Sequence, residues 1–146
     1  MTLHLIKLCV GAASLEDLAR WQAENRSVWR KAEGRRCVFH RTFQMPKRRD
    51  ELLDGGALYW VIKGLVQARQ RLVAIEEGRK EDGARCCLLL LDPELIPVRP
   101  VPRRAFQGWR YLAPEDAPPD LSATDGQALA DLPPAMRREL AALGLI

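Results

Sequence analysis

The stretch from Ala57 to Ile75 constrains the fold more than any other, because apolar residues alternate on both sides of a single glycine. Leu58, Trp60 and Ile62 share one face before Gly64, and Val66, Ala68, Leu72 and Ala74 share one after it. A period of two marks β-strands, and Gly64 stands where a hairpin loop needs positive φ. The segment is therefore expected to be an antiparallel hairpin. Directly opposed residues lie on the same side of a sheet, so the register must set apolar against apolar. A two-residue turn would pair Trp60 with Gln67 and bury the wrong face. A three-residue loop, Lys63-Gly64-Leu65, pairs Ile62 with Val66 and Trp60 with Ala68. That register leaves Tyr59 beside Arg69, Val61 beside Gln67 and Ala57 beside Arg71 on an outward face.

The rest of the chain supplies partners for this hairpin. Leu3 to Val10 alternates loosely and stops at Gly11, as a strand does. Ser14 then opens a helix as its N-cap, with Asp17 three residues on. The helix is expected to fade in the polar run 25–36. Cys37 to Phe43 is β-branched and aromatic enough for a second strand. Lys47 to Leu53 reads as a basic turn entering one helical turn, which Asp54-Gly55-Gly56 breaks. After a charged loop over 76–85, the continuous apolar run Cys86–Leu91 predicts a strand buried on both faces. Pro97, Pro100 and Pro102 keep the next segment extended and at an edge. Ala105 to Leu112 reads as a last strand or tight turn, rich in aromatics. The tail, Leu132 to Leu143, reads as a short amphipathic helix with proline in its first turn.

A chain of 146 residues suits one domain with one core. Residues 1–112 are expected to form an α+β body, and 113–146 a proline-rich linker with a short helix packed on or beside it. The longest apolar run is six residues, where a spanning helix needs roughly 20. No secretory signal opens the chain, and a cytoplasmic protein without membrane attachment is expected. The cysteines at 9, 37, 86 and 87 contain no Cys-x-x-Cys pair. Cys86 and Cys87, adjacent in a strand, point to opposite faces and cannot easily share a metal. Buried reduced thiols are expected, with no metal and no cofactor.

No nucleophile–base arrangement stands out. His4 and His40 both fall within strands, and neither is assigned a catalytic role. Gly55-Gly56 precedes a strand, whereas a phosphate cradle needs glycines before a helix. Charge is more informative. Residues 113–146 hold six acids and two bases, a balance of −4, so the other 112 residues carry +8 of the net +4. A basic body suits a polyanionic partner. Its bases include Arg41, Lys47, Arg49, Arg99 and Arg103. The candidate nucleic-acid-binding residues are Arg48, Tyr59, Lys63, Arg69, Arg71, Arg104, Trp109 and Arg110. Single-stranded nucleic acid is held by cations on phosphates and by aromatic faces under bases, and an outward Tyr59–Arg69 pair suits that.

Several stretches also resemble a known family. They are Leu3–Gly11, Asp50–Gly56, Leu58–Gly64, Arg69-Gln70 and Ala105–Leu112, and they resemble the bacterial domain of unknown function numbered 1489. The resemblance runs from about residue 3 to 121, leaves out 22–40 and the tail, and implies no activity or ligand. The layout of opening strand, helix, turn and paired strands is also similar to PUA-like small barrels, among them the ASCH and EVE domains. That likeness implies a small, partly open β-barrel with one or two flanking helices and an RNA- or modified-nucleotide-binding role. The leading expectation is a non-catalytic module of that kind. One alternative is a small hydrolase of a nucleobase-like substrate, using Lys7 or Lys63 near Glu51. Another is a protein–protein adaptor presenting Phe106–Tyr111.

Overall fold

The computed structural model of the chain describes residues 2–25, 29–32, 34–121 and 131–143. Its strands are β1 (His4–Leu8), β2 (Trp29–Ala32), β3 (Arg35–Thr42), β4 (Ala57–Ile62), β5 (Leu65–Arg79), β6 (Arg85–Leu91), β7 (Ile96–Pro102) and β8 (Trp109–Leu112). The helices are α1 (Leu15–Glu24), α2 (Arg49–Leu53) and α3 (Pro134–Ala142). The fold is mixed α+β. The strand order is β2-β3-β6-β5-β4-β1-β8, with β7 on β5. The β1–β4 pair is parallel and the other pairs are antiparallel.

Ser14 caps α1 as its sequence implies, its hydroxyl accepting from Asp17 N. The run after α1 departs from expectation: Trp29–Ala32 is a strand paired with β3. Its polar residues lie on an edge strand, where a hydrophobic period need not show. The expected loop 76–85 is likewise shorter, because β5 runs on to Arg79 against β6.

The central hairpin holds most of its expected register and corrects the rest. Trp60 pairs with Ala68, Tyr59 with Arg69 and Ala57 with Arg71, but Val61 pairs with Val66 and Ile62 with Leu65. The turn therefore has two residues, Lys63 at φ 49° and Gly64 at φ 78°. Positive φ at both central positions matches the strand twist and makes a tight hairpin. A shift between Trp60 and Val61 absorbs Gln67 as a bulge, whose side chain caps Ile62 O at 2.8 Å. One extra residue reverses the faces beyond it, so Val66 packs with Val61 and Tyr59 rather than with Trp60.

The outward face expected for Tyr59 is not outward. Every residue of β4 is buried. One cluster holds Leu5, Leu58, Trp60, Ile62 and Leu91, and a second, on the other face, holds Ile6, Tyr59, Val61, Val66 and Val98. Cys86 and Cys87 do fall on opposite faces; no two of the four thiols are joined. Leu58, Trp60, Ile62, Val66, Leu72 and Leu88–Leu91 are all buried, as expected.

Gly56 lets the α2 end pass close to β1: a Cβ there would lie 2.2 Å from Leu3 O and 2.3 Å from Leu52 O. The segment 113–121 runs back over β7, with Arg99 N donating to Pro119 O and Leu121 N to Pro97 O. Arg137 of α3 reaches Glu16 of α1 at 3.2 Å. Among the described residues β2 and β8 are not paired, so the strand ladder runs open. The sheet nevertheless curls. Trp109 of β8 donates to Gln44 O just past β3, although these strands lie far apart in the order. No helix among the described residues is long and apolar enough to cross a membrane.

Candidate functional site

The curl leaves a cleft of about 430 Å³ between the carboxyl end of β1, helix α1 and strand β3. Trp60, Phe39 and His40 line it from the sheet, Trp21 and Gln22 from α1, and Lys7 from β1. Its volume lies within the range of small-ligand pockets, which are mostly apolar with a few placed polar groups.

A buried amide network sets the cleft floor. Gln70 is wholly inaccessible. Its Oε1 accepts from Trp60 Nε1 at 2.8 Å and Gln22 Nε2 at 3.0 Å. Its Nε2 donates to Gln22 Oε1 and Asp92 O, both at 3.0 Å. Two acceptor sites and two donors are thus all used, and α1 is pinned to the sheet through Gln22. Trp29 Nε1 donates to Gln22 O at 2.9 Å, bringing β2 to the same point.

His40 differs from this satisfied network. Its ring stands edge-on to Trp60 at 5.0 Å, and its Nε2 is buried without a hydrogen-bond partner among the described residues. Burial pushes its pKa down to about 4, with the Lys7 charge adding to the effect. The imidazole is therefore neutral near pH 7, one nitrogen donating and the other accepting. Burial also lowers the Lys7 pKa, and it pushes the Cys9 thiol beside it up to about 11. A thiol held protonated is a weak nucleophile. His4, by contrast, is structural: its Nδ1 accepts from Ala57 N at 3.1 Å, and its ring packs edge-on against Tyr59.

The eight residues singled out by sequence do not converge here; none lines this cleft. Tyr59 is 4% exposed and cannot offer a stacking face. Arg69 is held by Asp120 through two 2.7 Å hydrogen bonds. Trp109 is buried and donates to Gln44 O at 2.8 Å. Arg48 ion-pairs with Glu51 and lies over Tyr111. Arg110 and Arg103 both lie over Phe106, at 5.4 and 5.5 Å. Lys63, Arg71 and Arg104 are exposed. The adaptor patch is largely engaged in packing, since the Tyr111 hydroxyl accepts from Lys47 N and Arg48 N. Glu51, which a hydrolase would pair with Lys7 or Lys63, is paired with Arg48 instead.

Sequence reasoning missed Trp21, Phe39 and His40 as cleft residues. One signal was legible: Trp21 flanks the apolar stripe of α1 and remains half exposed. Of the large apolar side chains exposed among the described residues, Val10 and Trp21 both line the cleft. Exposed apolar groups gathered at a concavity mark a binding surface more than scattered ones do.

Fold and cleft together define a small α+β domain carrying a formed pocket of small-ligand size. The chain belongs to the family described as protein of unknown function (DUF1489), whose model matches residues 5–146. That match extends the resemblance seen in the sequence, since it runs through residues 22–40 and the tail. No curated protein and no solved structure matches the chain.

Proposed function

We propose that the protein is a non-catalytic binding module for a nucleotide, free or carried in RNA, and that the base occupies the cleft between β1, α1 and β3. The observation that carries this reading is the set of aromatic walls gathered about the cleft together with His40, a lining residue whose buried Nε2 lacks a partner among the described residues. A buried polar group left unpaired costs about 1–3 kcal/mol, which a ligand hydrogen bond would recover once the ring turns Nε2 toward the cleft. A nucleobase supplies both a flat apolar face for Trp21 or Phe39 and a polar edge for His40. The protonated Cys9 thiol favours binding over thiol chemistry. The layout likeness to PUA-like barrels points to the same ligand class and rests on the α2 turn entering β4 and β5. A cytoplasmic location goes with this reading.

The test is tryptophan fluorescence of the full chain titrated with nucleosides, nucleotides and short RNAs. Trp21→Ala should weaken binding by roughly one stacking contact, about 1–3 kcal/mol, while leaving the melting temperature nearly unchanged. Absence of binding by any of these probes to folded protein would sink the proposal.

A further inference from the structure

A second, smaller cleft of about 260 Å³ adjoins the first, and Lys7 lines both. Arg41, Thr42 and Phe43 reach it from the end of β3, Lys80 from the turn after β5, and Gly108 from the turn before β8. Strands β1 and β3 are separated in the ladder by β4, β5 and β6, so these cations meet only because the sheet curls.

Three cations therefore line one notch, and among the described residues no Asp or Glu lines it with them. Arg20, Arg35, Arg48, Arg69, Arg85 and Arg137 each ion-pair with a carboxylate. Among the described residues, Lys7, Arg41 and Lys80 have no carboxylate within ion-pair distance. Lys80 lies 4.5 Å over the ring of Phe43, which is itself 77% exposed. Like charges held together without a counter-charge repel one another, and an anion between them turns that repulsion into attraction. Lys7 is also partly desolvated, which lowers its pKa; a bound anion would favour its charged form.

We propose that this notch is a phosphate subsite, in which Lys7, Arg41 and Lys80 take the phosphoryl oxygens of the nucleotide whose base fills the adjoining cleft. The assignment of the phosphate to a nucleotide rests on the function proposed above; the anion site itself does not. Arg41 supplies a planar fork for two oxygens, and Lys7 and Lys80 supply point charges. Lys7, lining both spaces, marks where base and phosphate would join.

Calorimetry of the full chain separates the two readings with three sets of probes: inorganic pyrophosphate, the four common ribonucleosides, and their 5′-diphosphates. Pyrophosphate should bind in the millimolar range or tighter. The preferred diphosphate should bind at least about tenfold tighter than its nucleoside, the effect of one charge-assisted contact. R41Q and K80Q should each remove most of that gain and weaken pyrophosphate, with nucleoside affinity and melting temperature unchanged. R104Q, an exposed arginine outside the notch, should change nothing. Pyrophosphate binding lost in R41Q and K80Q, with no nucleoside bound, keeps the anion site and rejects the base cleft. No pyrophosphate binding to folded protein, or equal weakening by R104Q, overturns the anion site. A 5′-phosphorylated RNA of about ten nucleotides binding tighter than the diphosphate, by the same residues, assigns the phosphate to a strand.

Discussion

The two faces of β4 are built from the same strand and are finished differently. On one face Trp60 packs over Gln70 and forms the floor of a cleft that α1 leaves open. On the other, Tyr59 is covered, with Ala117 and Phe106 packed against its cluster. Asp120 beside it is clamped to Arg69 and bridged to Val98. Both aromatics are buried, but Trp60 borders the cleft of about 430 Å³ whereas Tyr59 lies within a packed cluster. The same contrast runs through the cations. Arg69 sits in the basic set that the sequence highlights, but its charge is answered within the chain. Lys7, Arg41 and Lys80 carry charges that no acid answers among the described residues. A count of bases therefore does not say which of them gather in one concavity; the curl of the sheet decides that.

The largest expected effects come from the two aromatics. Trp60→Ala and Tyr59→Ala should each cost about 3–5 kcal/mol in chemical denaturation, because both leave a cavity in packed surroundings. They should differ in binding: Trp60→Ala removes the cleft floor and abolishes nucleoside binding, whereas Tyr59→Ala leaves it intact under conditions where the protein is folded. Equal losses would erase the distinction between the faces.

A smaller effect concerns acid. His40 in the folded chain titrates at about 4, below the roughly 6.5 of an unfolded histidine. Between those values the unfolded chain holds the extra proton, so stability should fall as pH drops from about 6.5 to about 4, by on the order of 2–3 kcal/mol. Urea midpoints measured across that window should show the slope in the natural protein and a shallower one in His40→Phe, where His4, whose pKa burial also lowers, still contributes. A ligand accepting or donating at Nε2 should lose affinity in the same variant.

The smallest effect belongs to the covered face. Hydrogen bonds from Arg69 hold the Asp120 carboxyl below its usual range, outweighing the opposing push of burial. Its stabilising contribution is then complete above about pH 4 and is lost as pH falls through the lowered value. The pair is partly exposed, so Asp120→Asn should cost under about 1 kcal/mol near neutrality. Its stability difference from the natural chain should shrink only below the window in which His40 titrates. A difference that shrinks between pH 6.5 and 4 instead would mean that the clamp and the cleft are coupled.

By itself the sequence determined the local elements whose physics is local. Ser14 capped its helix, Gly64 made its turn, and the run Cys86–Leu91 became a strand buried on both faces. It also determined that Leu58, Trp60 and Ile62 share a face, since alternation along one strand survives whatever packs against it. Tertiary structure decided the rest. The bulge at Gln67 moved Val66 to the other face, and an alternation pattern carries no mark of one inserted residue. Tyr59 looked outward because the residues that cover its face, among them Val98, Phe106 and Ala117, are far from it in the sequence. His40 read as a strand histidine, and its place at the cleft arises from α1 and β1 lying opposite β3 in the folded chain. The notch joining Lys7, Arg41 and Lys80 depends on the curl of a sheet whose relevant strands are not neighbours. Curvature comes from summed twist and long-range packing, and no local window of sequence contains it.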